Sequence, residues 1–157
     1  MPMAEWLVLA AYGVFASASI VLAVIDIRTR RLPDVIVVPS AVLLVGTFAA
    51  ASGITGDWSG LVRAVLSGAG AFAALLLVAI VTRGGLGFGD VKLAFVLGVA
   101  TGWVGWGAVA LSLVVAFVLG GAFALVLILT RRATASTATP FGPWLLLGAW
   151  VGIATHL

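Results

Sequence analysis

Three features of this 157-residue sequence predict an all-α, multi-pass membrane protein of about six transmembrane helices. It is 64% hydrophobic and only 8% charged, where a soluble domain carries about 25% charged residues. So few charges cannot cover a water-facing surface. The apolar residues fall into long runs broken by Arg, Pro or Gly-rich stretches, and about 20 apolar residues suffice to cross a bilayer. The basic residues sit in alternate breaks, as topology signals do. Such spans use nearly the whole length, so residues 1–157 read as a single transmembrane domain.

The elements follow from their breaks. Helix one is predicted over Trp6–Ile27, stopped by Arg28, Arg30, Arg31 and Pro33. Helix two runs over Val35–Ala51, and a Gly/Ser/Asp loop follows from Ser52 to Gly60. Helix three covers Leu61–Thr82. A glycine-rich loop spans Arg83–Gly89, and helix four starts near Asp90 and ends around Gly102. The stretch from Gly102 to Gly107, holding Trp103 and Trp106, reads as a tight turn. Helix five covers Ala108–Leu129. A polar loop with Arg131, Arg132 and a flexible Thr/Ser/Ala stretch to Thr139 leads to helix six, Pro143–Thr155. The tryptophans are expected mostly as interfacial anchors, and Gly148 with Gly152 as a packing pair.

Arg28, Arg30, Arg31, Arg83, Lys92, Arg131 and Arg132 fall on one side of this arrangement, and Arg63 on the other. The positive-inside rule puts the first, third and fifth connections in the cytoplasm and both termini outside. Asp26, Asp34 and Asp90 then share the cytoplasmic side. Glu5 and Asp57 sit opposite, as solvated charges. The N-terminus has no basic residue before its first apolar run, so no cleavable signal peptide is expected.

Composition also narrows the chemistry. With no cysteine there is no thiolate metal site, disulfide or cysteine nucleophile. One histidine, His156 near the C-terminus, rules out an HExxH zinc pair. No metal, cofactor or nucleic-acid partner is expected, and the bilayer is the expected surrounding. Gly85-Leu86-Gly87 does not extend to GxGxxG or to a Walker motif, which excludes a nucleotide loop.

Two acids stand out. Asp26 lies in the last turn of helix one, and stepping back at helical spacing gives Ala23, Ser19, Ala16 and Tyr12. The remaining face, with Leu22, Ile25 and Val21, is bulky. Small residues let membrane helices approach closely, so Asp26 is expected to face the bundle. Asp90 heads a similar stripe of Ala94, Gly98 and Thr101. If the two stripes pack together, both acids reach one depth. Two adjacent carboxylates do not both ionise easily, so such a pair shares a proton near neutral pH. One can then take a proton from water while the other protonates a carbonyl. Gly84, Gly85, Gly87 and Gly89 remove side chains around Asp90, so bare backbone can approach an extended peptide.

Beside this stand plainer readings. Asp90 alone is a loop charge or part of an ion or proton path. Asp26 alone is a helix-end acid paired with Arg30 at i,i+4. Asp34 is a helix cap. Lys92 snorkels, steadies the acids or contacts substrate. Phe141-Gly142-Pro143 is a helix start with proline in its first turn.

The motifs taken together resemble the bacterial type IV prepilin peptidase family. Asp26 followed by the Arg-rich turn and Leu32-Pro33-Asp34 is similar to the family's first acidic motif, which usually continues Ile-Pro-Asn. Gly87-Phe88-Gly89-Asp90-Val91-Lys92 resembles its GxGD motif, and Thr139-Pro140-Phe141-Gly142-Pro143 the stretch opening its last helix. The resemblance implies an intramembrane aspartic endopeptidase of the bacterial inner (cytoplasmic) membrane. It would remove the short basic leader from prepilin or pseudopilin precursors at the cytoplasmic face. Asp26 and Asp90 correspond to the catalytic pair, with Gly87, Phe88, Gly89 and Lys92 supporting substrate. Asp34 departs from the usual Asn and adds a third acid. The cysteine-rich element of long family members has no counterpart here, so the short form without N-methylation is expected. Two other classes compete: a proton- or ion-translocating protein, and a non-catalytic membrane subunit of a pilus or secretion assembly.

Overall fold

The computed structural model describes residues 3–83, 85–132 and 140–156. Gly84, Thr139 and the Thr/Ser/Ala stretch before it lie outside the described residues. Among the described residues there are six helices: α1 Met3–Thr29, α2 Asp34–Thr55, α3 Ser59–Val81, α4 Phe88–Val104, α5 Trp106–Leu129 and α6 Gly142–Ala154. Helices α1, α2, α3 and α5 are long and apolar enough to cross a membrane, and α6 is a shorter apolar helix. The protein is thus a multi-pass, all-helical membrane protein.

The breaks act largely as expected, with boundaries moved. Arg30 ends α1 in the left-handed region, at φ 52°. Helix α2 continues through Ser52 to Thr55, because Gly56 at φ 75° supplies the left-handed cap and its N–H bonds the Ser52 carbonyl. The predicted Ser52–Gly60 loop therefore shrinks to a few residues. The predicted turn at Gly102–Gly107 shrinks further, since only Gly105 separates α4 from α5.

Helix α4 is the centre. It packs against α2, α3, α5 and α6 and is buried through most of its length. Its largest contact is with α3, where Gly68, Gly98 and Gly102 bring backbone against backbone. A Cβ on Gly98 would lie 2.6 Å from the Ser67 carbonyl oxygen. The two small-residue stripes thus do not meet, contrary to the sequence expectation. The stripe of α4 is taken by α3, and α1 lies against α2 and α6. Leu22, from the bulky face of α1, is among the most buried side chains. Tyr12 links α1 to α4 instead, donating its hydroxyl proton to the Ala100 carbonyl at 2.7 Å.

A long-range polar contact caps the same helix. Arg63 donates to the Gly102 and Trp103 carbonyls at 2.7 and 2.6 Å, closing the C-terminal end of α4 with charge-assisted bonds. Trp103 stacks on Phe48 with ring centroids 4.3 Å apart, and Trp150 on Phe15 at 5.2 Å. These two tryptophans are half-buried and pack the bundle. Gly148 and Gly152 form the expected packing pair, set against the α5 backbone at Ser112 and Ala108.

Candidate active site

The end of α1 and the start of α4 meet beneath the α1–α2 connection. There a cavity of about 530 Å³ is lined by Asp26, Arg30, Arg31, Leu32, Pro33, Asp34 and the run Gly87–Asp90. Both candidate acids are buried, Asp26 at 4% and Asp90 at 7% exposure. Asp26 reaches it from the last full turn of α1, on the face shared with Tyr12 and Ser19. Asp90 reaches it from the first turn of α4. The helix begins at Phe88, earlier than expected, with Gly87 as its extended cap.

Their partners differ. Asp26 Oδ2 accepts the backbone N–H of Gly142 at 3.1 Å. Asp90 Oδ1 has no hydrogen-bond partner among the described residues, while Oδ2 lies beside Gly87, where a Cβ would stand 3.2 Å away. No ion pair joins Asp26 to Arg30 among the described residues, so the helix-end pairing does not explain Asp26. Gly89 has another use: its missing Cβ lets α4 close on Leu32, which would lie 3.0 Å from it. Gly85 packs on Thr82, away from Asp90. Of the glycines expected around the acid, Gly87 abuts it, Gly89 lines the cavity, and Gly84 lies outside the described residues.

Phe88 lines the cavity and is largely exposed. Lys92 does not. Its ammonium bonds Asp34 at 2.7 and 2.9 Å and sits 5.5 Å from the Phe88 ring centre. Residues two apart on a helix do not share a face, so Lys92 points away from Asp90. Asp34 is the first residue of α2 rather than its cap, and Pro33 holds the cap position without a side-chain bond. No three-residue cluster able to hold a metal ion occurs among the described residues.

Sequence reasoning missed Leu32 and Gly142 as site residues. Leu32 touches the positions of both Gly89 and Gly142 and so sits between the starts of α4 and α6. The signal for Gly142 was a glycine held between Phe141 and Pro143 at a helix start.

A family model described as the type IV leader peptidase family matches residues 13–125, which include both acids. The chain belongs to the type IV leader peptidase family. Relatives named prepilin leader peptidase/N-methyltransferase agree. That of Pseudomonas putida is 32% identical over 139 residues, covering 84% of this chain and 45% of the relative. That of Escherichia coli (strain K12) is 35% identical over 135 residues, covering 84% and 57%. That of Burkholderia pseudomallei (strain 1026b) is 34% identical over 151 residues, covering 89% and 44%. This leader peptidase family member therefore spans about half the length of the curated relatives it matches. No solved structure matches the chain.

Proposed function

We propose that the protein is an aspartic prepilin leader peptidase, with Asp26 and Asp90 as its catalytic pair. It hydrolyses the bond that joins a short basic leader to a prepilin or pseudopilin precursor. The observation that carries the reading is the convergence of two buried carboxylates, far apart in sequence, on one cavity at the same end of the bundle. The relatives' names supply the substrate class. Water held between the acids loses a proton to one carboxylate, and its oxygen adds to the scissile carbonyl carbon. The other acid gives its proton to the carbonyl oxygen. Collapse of the resulting diol breaks the C–N bond: the acid that took the proton from water gives it to the leaving nitrogen, and a diol hydroxyl returns a proton to the other carboxylate. The pair ends with the one proton it began with.

Glycine at position 87 leaves backbone open beside Asp90, and Phe88 offers an apolar wall to the peptide. The arginines in alternate connections support an orientation with this cavity on the cytoplasmic side of a bacterial inner membrane and both termini outside. The described helices act as one peptidase domain.

Asp26→Asn and Asp90→Asn test the reading. Each keeps the size of the side chain and removes the acid. Both variants are expected to insert and fold, and each to lose leader cleavage by at least about 100-fold, measured on a purified prepilin in detergent micelles. Wild-type processing by either variant defeats the proposal.

A further inference from the structure

We propose that Gly142 is a positioning residue for Asp26. Its backbone N–H holds the carboxylate, and its missing side chain makes the space the carboxylate occupies. This rests on the proposed catalytic role of Asp26. Residue 142 lies beyond the segment matched by the family model.

The first turn of a helix carries N–H groups without partners inside the helix. In α6 their fates differ. Pro143 has no N–H, and Trp144 and Leu145 both bond the Phe141 carbonyl, each at 3.1 Å. The N–H of Gly142 is left for Asp26 Oδ2, at 3.1 Å. A side chain at the same position would also meet the acid. A Cβ there would lie 2.7 Å from Asp26 Oδ2 and 3.2 Å from its Cγ. Both contacts are with the carboxyl itself, so an alanine would have to turn the acid out of place.

The donor is fixed from α5. The Phe141 ring sits against Gly120, where a Cβ would collide with it, and packs on Phe117 with centroids 5.3 Å apart. Farther along, Gly148 and Gly152 press α6 onto the α5 backbone. Leu32 meets the position of Gly142 on one side and of Gly89 on the other, so the seat of Asp26 and the start of the Asp90 helix share one contact. The α5–α6 pair thus delivers a single N–H to one acid.

The test is Gly142→Ala in the full-length protein, assayed on a purified prepilin. The expected result is a kcat lower by about 100-fold, the scale on which small misplacements of reacting groups act, with KM within about twofold. The acid limb of the kcat profile is expected to move from its wild-type position, because a hydrogen-bond donor to one member of the pair has been displaced. A purely structural role would not move that limb. Gly102→Ala, which would press on α3 at Ser67 and Ala64 at the end of α4 opposite Asp90, is the comparison: its thermal unfolding should fall while the kcat of the folded fraction stays near wild type. If Gly142→Ala does not fold, Phe141→Leu loosens the same N–H and should lower kcat with KM unchanged. The proposal is overturned by wild-type kcat and pH profile in the folded Gly142 variant, or in the Phe141 variant if that one is needed. Asp26→Asn and Asp90→Asn in the same assay separate the two ideas. Activity in either defeats the peptidase reading, whereas inactivity in both with normal Gly142→Ala defeats only the positioning role.

Discussion

Asp34 and Lys92 show how a side chain's partner escapes one-dimensional reading. Asp34 looks like a cap and Lys92 like a companion of Asp90. In the fold they bind each other across the starts of α2 and α4. Their side chains are 59% and 33% exposed, and exposed pairs contribute about 0–1 kcal/mol. Asp34→Asn is therefore expected to keep leader cleavage within about fivefold and to shift thermal unfolding by no more than about 1 kcal/mol. A loss of cleavage as large as that of Asp90→Asn would make Asp34 a third catalytic acid. Asp26 and Asp90 themselves were legible, since an acid heading a small-residue face in an apolar helix has little reason to be there unless buried. Gly142 was not, because its use depends on an atom 116 positions away.

At the scale of elements, glycines divide by what they touch. Gly98 carries the α3–α4 contact. Its substitution by alanine forces a methyl against the Ser67 carbonyl and the Gly68 Cα, at 2.6 and 2.7 Å. Overpacking of this kind costs about 1–3 kcal/mol. Gly46, in α2, has nothing within 4 Å of the same added atom, and alanine there should gain up to about 1 kcal/mol of helix propensity. Thermal unfolding of both variants in one detergent checks the pair of signs. The helices themselves were legible almost to their ends, since apolar length and Arg, Pro and Gly breaks are local. Which stripe packs on which was not. The stripes of α1 and α4 look alike, yet α3 takes the face of α4 because Gly68 stands opposite Gly98 and permits backbone contact.

For the whole molecule, the distribution of arginine makes the orientation testable. The chain has no cysteine, so single thiols report cleanly. Asp57 lies in the α2–α3 connection and Arg131 just beyond α5, both exposed. In intact spheroplasts, Asp57→Cys is expected to react with a membrane-impermeant maleimide, and Arg131→Cys only after lysis. The reverse pattern would put the acid cavity on the outer side and contradict cleavage at the cytoplasmic face.

By itself the sequence determined that this protein is a bundle of apolar helices, where those helices break, and which two acids are out of place in it. Each of these is set by short-range physics: hydration of charges, backbone self-satisfaction in lipid, and steric limits at Pro and Gly. Tertiary structure alone decided that α4 is the central helix, that Lys92 belongs to Asp34, and that the N-terminus of α6 holds Asp26. The first and last depend on backbones and side chains approaching to within the width of a missing methyl group, and all three on contacts made only when distant segments pack.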